Sequence, residues 1–372
     1  MVAQAVTSQI NVPAWDNSAM DGYALRAEDA QNTLTISQRI PAGCKGEPLQ
    51  QETAARIFTG APIPEGADTV VMQERCQADN DQVIIEGIVP KGANIRRLGE
   101  DIQINQEIIS VGTQCLPQHL GLASSVGIAE LTVYKRLKVA LFSSGDELVM
   151  PGTPLADGQI YNSNQFTLQA LLESLGCDVI NLGMVEDTLE ATCQILQKAA
   201  DQADLVLASG GVSVGEEDHV KPAVEKLGRL NLWKIAIKPG KPLAFGFINK
   251  TDSKESCPFI GAPGNPVSLF VTFCLFARPF ILKSQGQTEN IALIPQQAKA
   301  DFDWTKADKR REYARAKLSI NEQGEAIVEI YPSRSSGVLS SLTWANGLVV
   351  ITENTIIKKG DLVPFIPFQN LL

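Results

Sequence analysis

The sequence predicts an elongated, multidomain chain whose centre is an α/β core, a parallel sheet with crossover helices, and whose flanks are β-rich domains. Three observations point there. The chain has 372 residues, more than the roughly 100–200 of a single domain. From Lys138 to about Ser284 short β-branched runs alternate with helical periodicity, the pattern of strands joined by crossover helices. From about Ile10 to Ile104, and again from about Ile291 to Leu372, the pattern becomes short alternating runs rich in Gly and Pro. The expected boundaries are 10–105 for a β-rich domain, 106–135 for a connector, 136–285 for the α/β domain and 286–372 for a C-terminal β-barrel-like domain.

Within the core, KVALFSS is the first strand and gives way to Gly145-Asp146-Glu147. Leu168, Leu171, Leu172 and Leu175 mark one face of the following helix, closed by Gly176. DVINLGMV is the second strand. Leu189, Cys193, Leu196 and Ala200 mark the next helix, with Asp187 and Glu190 spaced as a capping box at its start. DLVLASGG is the third strand. Beyond the loop VSVGEED, Val220, Ala223, Val224 and Leu227 line one helical face, and Pro222 requires that helix to begin just before it. Asp218 therefore lies at the helix entrance. WKIAIKPGKP reads as a strand with Lys234, Ala236 and Lys238 on one face, then a turn presenting Lys241. CPFI leads through Gly261-Ala262-Pro263-Gly264-Asn265-Pro266 into a helix with proline in its first turn. In the last domain Asn321 to Gly324 reads as a hairpin turn, and Lys359-Gly360-Asp361 precedes another strand.

Composition excludes several classes. The 42 acidic and 32 basic side chains leave a net charge of −10, which argues against an unaided grip on nucleic acid or an anionic membrane. No Lys or Arg precedes Arg26, so a secretory leader is not expected and the protein is expected in the cytoplasm. The longest apolar stretch, Val267 to Ala277, is short of the roughly twenty residues that span a bilayer and reads as a buried helix. Seven scattered cysteines, none at CxxC spacing, read as reduced packing residues. With only His119 and His219, any metal is expected on oxygen ligands.

Three successive parallel strands end in carboxylates: Asp146 and Glu147, then Asp187, then Glu216, Glu217 and Asp218. In open α/β sheets ligands bind in the crevice beyond the carboxyl ends of the strands. Asp187 and Asp218 taken singly also read as helix caps. The loop Ser209 to Gly215 has the glycines and following helix that let backbone N–H groups converge on phosphate. Its acidic tail repels phosphate, so binding both calls for an intervening cation, most simply Mg²⁺ with retained waters. A plain turn before a solvated acidic helix start is the alternative. Lys234, Lys238 and Lys241 form a local anion receptor or, alternatively, a solvated edge guarded by lysines.

Taken together, SGGVSVGEED, IKPGKP and GAPGNPVS, with DNSAMDGYALR, TGAPIPEGADTVVMQE, NIRRLGEDI and FSSGDEL, resemble the molybdopterin molybdenumtransferase family, called MoeA in bacteria and the gephyrin E domain in animals. The similarity runs from about Val12 to the C-terminus. It implies a MogA-like core and Mg²⁺-dependent insertion of molybdate into adenylylated molybdopterin with release of AMP. By matched motif it implies Asp187 and Asp218 as metal and catalytic residues, with Glu147 at the same crevice. Gly210, Gly211 and Ser213, the rim prolines Pro263 and Pro266, and Lys234 and Lys238 would bind substrate. It also implies a homodimer in which the β-rich N-terminal domain covers the partner's cleft, making Asp21, Thr59 and Asp101 candidates, with Arg96 and Arg97 as nearby charge. Unaided, these read as an ordinary turn, an ordinary loop and a solvated pair. Arg315 and Ser336 match more loosely. Family members usually carry a longer helical stretch ahead of DNSAMDGYA, so residues 1–9 are expected to be a remnant of the connector domain. The competing readings are a molybdopterin adenylyltransferase, which shares the α/β core and the Gly-rich loop, and a non-catalytic scaffold of the same family.

Overall fold

The structure, a computed structural model, describes residues 1–211, 219–240 and 242–371, with only the main chain described at 232–234 and 242. Asp218, Ser213 and Lys241 of the sequence reading lie outside the described residues, as does the side chain of Lys234. The chain divides into two compact units, Met1–Val133 and Tyr134–Leu372.

In the second unit a sheet of six described strands runs in the order Asp178–Val185, Lys138–Ser144, Leu205–Ser209, Ser256–Ala262, Pro242–Asn249, Gly228–Lys234. The first three pairings in that order are parallel and the last two antiparallel. This corrects the expectation of a wholly parallel sheet. Pro242–Asn249 runs against its neighbours because the six residues from 250 to 255 are too few for a crossover, which needs a dozen or more. Val139 to Ser144 and Leu205 to Ser209 are buried without interruption, as strands covered on both faces must be. One face carries Leu141, Leu207 and Ile260 against Leu168 and Leu172 of the helix Ser163–Ser174. The other carries Phe142, Val206 and Phe259 against Leu196 of Leu189–Gln202 and Val224 of Val220–Leu227. That last helix begins two residues before Pro222, where the missing N–H breaks no bond.

The run WKIAIKPGKP is not one strand. Its first part belongs to Gly228–Lys234 in the core sheet, whereas Ile237–Lys238 pairs in parallel with Arg311–Ile320 of the C-terminal domain. Lys234 and Lys238 therefore lie in different sheets, and the shared face read from alternation does not exist. In the C-terminal domain Arg311–Ile320 pairs with both Ala326–Ile330 and Gly347–Ile351. Gln296–Ala300 and Leu362–Pro367 complete the circuit. The ring closes around Ala298, Ala316, Val328, Val349 and Phe365, which removes exposed strand edges.

Pro266–Ser284 is continuously helical, with a π-helical turn at Phe273–Ala277. By length and composition it could cross a membrane, yet 61% of its most apolar window is buried inside the protein, and Val267, Leu269, Val271, Phe273 and Cys274 sit in the core. All seven cysteines are free; Cys177, Cys257 and Cys274 are buried and Cys44 is exposed, so packing does not account for every one.

In the first unit a six-stranded sheet is ordered Thr69–Met72, Gly22–Leu25, Thr53–Ile57, Leu34–Ile40, Gln82–Ile85, Cys76–Asp79. Alternate residues pack on opposite faces: Tyr23, Leu25 and Val71 on one side, Ala24, Ile57 and Val70 on the other. The segment read as a connector contains the helix Pro117–Ser125, and Val2 and Val6 pack with Ile109 and Ala123 of the same region.

Phe142 is wholly buried on the strand Lys138–Ser144 of the core sheet. Phe142→Ala should cost about 3–5 kcal/mol, read as a lowered urea midpoint for the second unit. Ile294→Ala, at a position 72% exposed, should stay within about 0.5 kcal/mol.

Candidate active site

A cavity of about 700 Å³ opens beyond the carboxyl ends of the core strands. Register explains the convergence. Ser143 pairs with Ser209 and Ser144 with Val185, so Lys138–Ser144, Asp178–Val185 and Leu205–Ser209 end at nearly one level. Ser144 and Glu147, Asp187, Gly210 and Gly211, and Pro263 and Pro266 then come from four successive connections onto one cavity. Gly337 and Leu339 of the C-terminal domain also line it.

Asp187 is not the helix cap that sequence spacing allows. Thr188 is the N-cap, its side chain accepting the Ala191 N–H at 3.2 Å. The Asp187 carboxylate is free for another role. Oδ1 accepts a short hydrogen bond from Ser144 Oγ, and Oδ2 accepts from the Asp146 N–H at 3.3 Å. Asp146 Oδ1 in turn accepts the Asp187 N–H at 3.2 Å. The two connections are thus latched together, and an ionised carboxylate with about four acceptor sites keeps some for a ligand. Glu147 is exposed on the cavity wall, its carboxylate folded back over Gly145.

Gly210 has φ +87°, and a Cβ there would lie 2.2 Å from the Ser144 carbonyl oxygen. Only glycine allows that approach. Ser144 is therefore shared: its hydroxyl holds Asp187 and its carbonyl meets the glycine turn. The Gly210 N–H donates to Ala262 O at 3.3 Å, so any amide cradle begins no earlier than Gly211. Asn164, which the sequence reading missed, ties the site across long separations. Its Nδ2 donates to Ser209 Oγ at 3.1 Å and to Gly264 O at 2.6 Å. Its Oδ1 is buried with no partner among the described residues. The signal for it was Asn162-Ser163-Asn164 at the start of the first core helix, legible as N-cap chemistry only; Asn162 takes that role, accepting the Gln165 N–H.

The other candidates lie elsewhere. Lys238 pairs with Asp308. Arg315 is 3% exposed in the C-terminal domain, donating to Ser341 Oγ, Ser333 O and Ser335 O, and burial lowers its pKa. Ser336 accepts the Val267 N–H through its carbonyl at 3.0 Å, which binds the C-terminal domain to the start of the core helix. In the first unit, pairing of Gly22 with Ile57 brings Asp21 to Thr59. Asp21 Oδ1 accepts from Thr59 N at 2.8 Å and Oγ1 at 2.7 Å, which holds its carboxyl below the ordinary 3.8. Asp101 and Arg96 line a separate cavity of about 490 Å³ with Asn17, whose Oδ1 is buried and unpartnered among the described residues. Arg97 is neutralised by Asp16 at 2.7 Å.

Among the described residues no three His, Cys, Asp or Glu side chains converge as a metal-ligand set. Beside the Asp187 carboxylate stand the Asp146 carboxylate and the Ser144 hydroxyl. They are all hard oxygens, and this chemistry suits a divalent ion that keeps several waters.

Family models match along the chain: the MoeA N-terminal region (domain I and II) at residues 1–127, a probable molybdopterin binding domain at 140–283, and the MoeA C-terminal region (domain IV) at 297–368. A molybdopterin molybdenumtransferase of Haemophilus influenzae is 44% identical, covering 100% of this chain and 91% of the relative. One from a Nostoc species is 36% identical over 97% and 84%. A molybdopterin biosynthesis MoeA protein of Pyrococcus horikoshii has a similar structure, with TM-score 0.81 and 27% identity, covering 98% of this chain and 91% of that one.

Two outcomes are expected at these sites. Gly210→Ala should destabilise the second unit by about 2–3 kcal/mol, from strain at positive φ and the clash with Ser144, measured by urea unfolding. Because Asp21 titrates below 3.8 in the folded state, its contribution to stability is present above that value and is lost as pH falls through the lower folded pKa. Thr59→Val removes the hydroxyl donor and keeps the N–H, so the Asp21 carboxyl should titrate higher by NMR, still short of its unfolded value.

Proposed function

Because the chain belongs to the MoeA family of molybdopterin molybdenumtransferases, we propose that it inserts molybdate into adenylylated molybdopterin with Mg²⁺ as cofactor and releases AMP. The protein is an enzyme of molybdenum cofactor biosynthesis, a transferase. One observation of the site supports the mechanism most: the Asp187 carboxylate and the Gly210-Gly211 turn meet on one residue, Ser144.

The proposed substrate is a polyanion joined by a phosphoanhydride. The Gly211 N–H and the start of the helix Val220–Leu227 would suit its phosphoryl oxygens. Asp187 and Asp218 would hold the metal, and once bound the ion supplies charge neutralisation and polarisation of the phosphoryl group. Ser144 and the Asp146 N–H fix the orientation of Asp187, so its remaining acceptor sites can orient a water toward the phosphoanhydride. Glu147 adds a second carboxylate at the mouth. Lys238, with Lys234, would receive the oxygens of molybdate, and Arg315 would shape the Ser333 to Ser336 loop rather than touch substrate. In this reading the enzyme works in the cytoplasm as a homodimer, and Asp21, Thr59 and Asp101 act on the partner's cleft.

A molybdopterin adenylyltransferase is the nearest alternative. The cavity wall formed by Gly337 and Leu339 speaks for a site that includes the C-terminal domain. Incubation with adenylylated molybdopterin, molybdate and Mg²⁺ should release AMP, whereas ATP with molybdopterin should give little adenylated product. Asp187→Ala and Asp218→Ala should each lower AMP release by at least about 10²-fold while circular dichroism is unchanged. Undiminished release would remove these residues from the site, and no release by the parent protein would favour a scaffold.

A further inference from the structure

Lys238 is the last residue of the short strand that the core lends to the C-terminal domain, pairing Ile237 with Arg311 and Lys238 with Glu312. Its ammonium is half-buried and engaged by Asp308 Oδ2. Asp308 is held independently of that lysine. Its Oδ1 accepts the Arg310 N–H at 2.9 Å, with Arg310 Nε at 3.5 Å, and its carbonyl accepts the Asn354 N–H at 2.8 Å. The other nearby acid, Glu312, is 5% exposed and already taken by both arms of the Arg334 guanidinium. The carboxylate that confronts Lys238 is therefore Asp308, and it is fixed to the barrel by contacts that do not involve the lysine.

We propose that Asp308 is a built-in competitor for Lys238, a carboxylate that an incoming tetrahedral oxyanion must displace, so that Asp308 sets the apparent affinity for molybdate. The inference rests on the assignment of Lys238 to molybdate under the proposed function. A lysine paired with a carboxylate carries no net charge to offer a dianion. With Oδ1 tied to Arg310, the carboxylate cannot retreat, so the ammonium must leave it for the ligand. Replacing the carboxylate by a neutral group of the same shape leaves the positive charges of Lys238 and Arg310 uncompensated.

The test uses the full-length protein, titrated with sodium molybdate at constant ionic strength by calorimetry and, separately, assayed for AMP release at varied molybdate. Asp308→Asn should tighten molybdate binding about three- to tenfold and lower the KM for molybdate by the same factor, without moving the KM for adenylylated molybdopterin. Asp308→Ser, a second neutral variant, should do likewise if the asparagine variant unfolds. Unchanged or weaker binding in the folded variants overturns the proposal, weaker binding marking Asp308 as a residue that merely positions the lysine. Lys238→Ala distinguishes the two levels. If it weakens molybdate binding while the Asp308 variants change nothing, only the competitor role falls. If it leaves molybdate binding untouched, the assignment of Lys238 to the oxyanion falls, and the competitor role with it.

Discussion

The hydrogen bond from Ser144 to Asp187 is the constraint on which the cavity depends. It exists because two parallel strands end at one level, and because the residue at the end of the central strand turns its hydroxyl to one neighbour and its carbonyl to the other. Asp187 is thereby withdrawn from helix capping, which Thr188 performs, and Gly210 is made obligatory by the approach of the Ser144 carbonyl. An acidic group and a turn able to meet phosphate are brought together without either being at the other's position in sequence. The buried hydroxyl contributes more than a surface one would, since desolvation strengthens its bond to the carboxylate.

The second organising feature is the segment from Gly228 to Gly240, which leaves the core sheet at Lys234 and enters the C-terminal sheet at Ile237. With the contact of Ser336 to the start of the helix Pro266–Thr272, it makes the barrel a wall of the same cavity instead of an appendage. Lys238 and Asp308 are then charges from two domains set against one another. In the first unit, the acid and hydroxyl of Asp21 and Thr59 are assembled by an antiparallel register in the same manner.

Much of this was legible. The strands KVALFSS and DVINLGMV have the bounds their composition implied, because a β-branched run closed by Gly or an acid has few other uses. The helix face of Leu168, Leu171 and Leu172 is buried as its spacing required, and Pro222 marked the helix start at Val220. The hairpin at Asn321 to Gly324 joins Ile320 to Ala326 as the turn chemistry suggested. Misreadings arose where a local pattern had two outlets. Lys234, Ala236 and Lys238 alternate like one strand, yet Lys234 pairs with Pro242 in the adjacent hairpin while Lys238 pairs with Glu312, 74 residues away. Asp187 and Thr188 are both competent caps, and the choice is made by the acceptor demand of Ser144.

By itself, then, the sequence determined the family, the succession of core elements, and the collection of acids and glycines at the ends of strands, because periodicity, turn chemistry and motif are properties of neighbours along the chain. Only the tertiary structure decided that one core strand opposes its neighbours, that Asn164 joins Ser209 to Gly264 across separations of 45 and 100 residues, and that Lys238 meets Asp308 and Arg315 meets the serine loop. Those outcomes depend on register and on contacts between domains. Both follow from which backbone groups and charges remain unpaired after the local elements have formed, and that is settled in space.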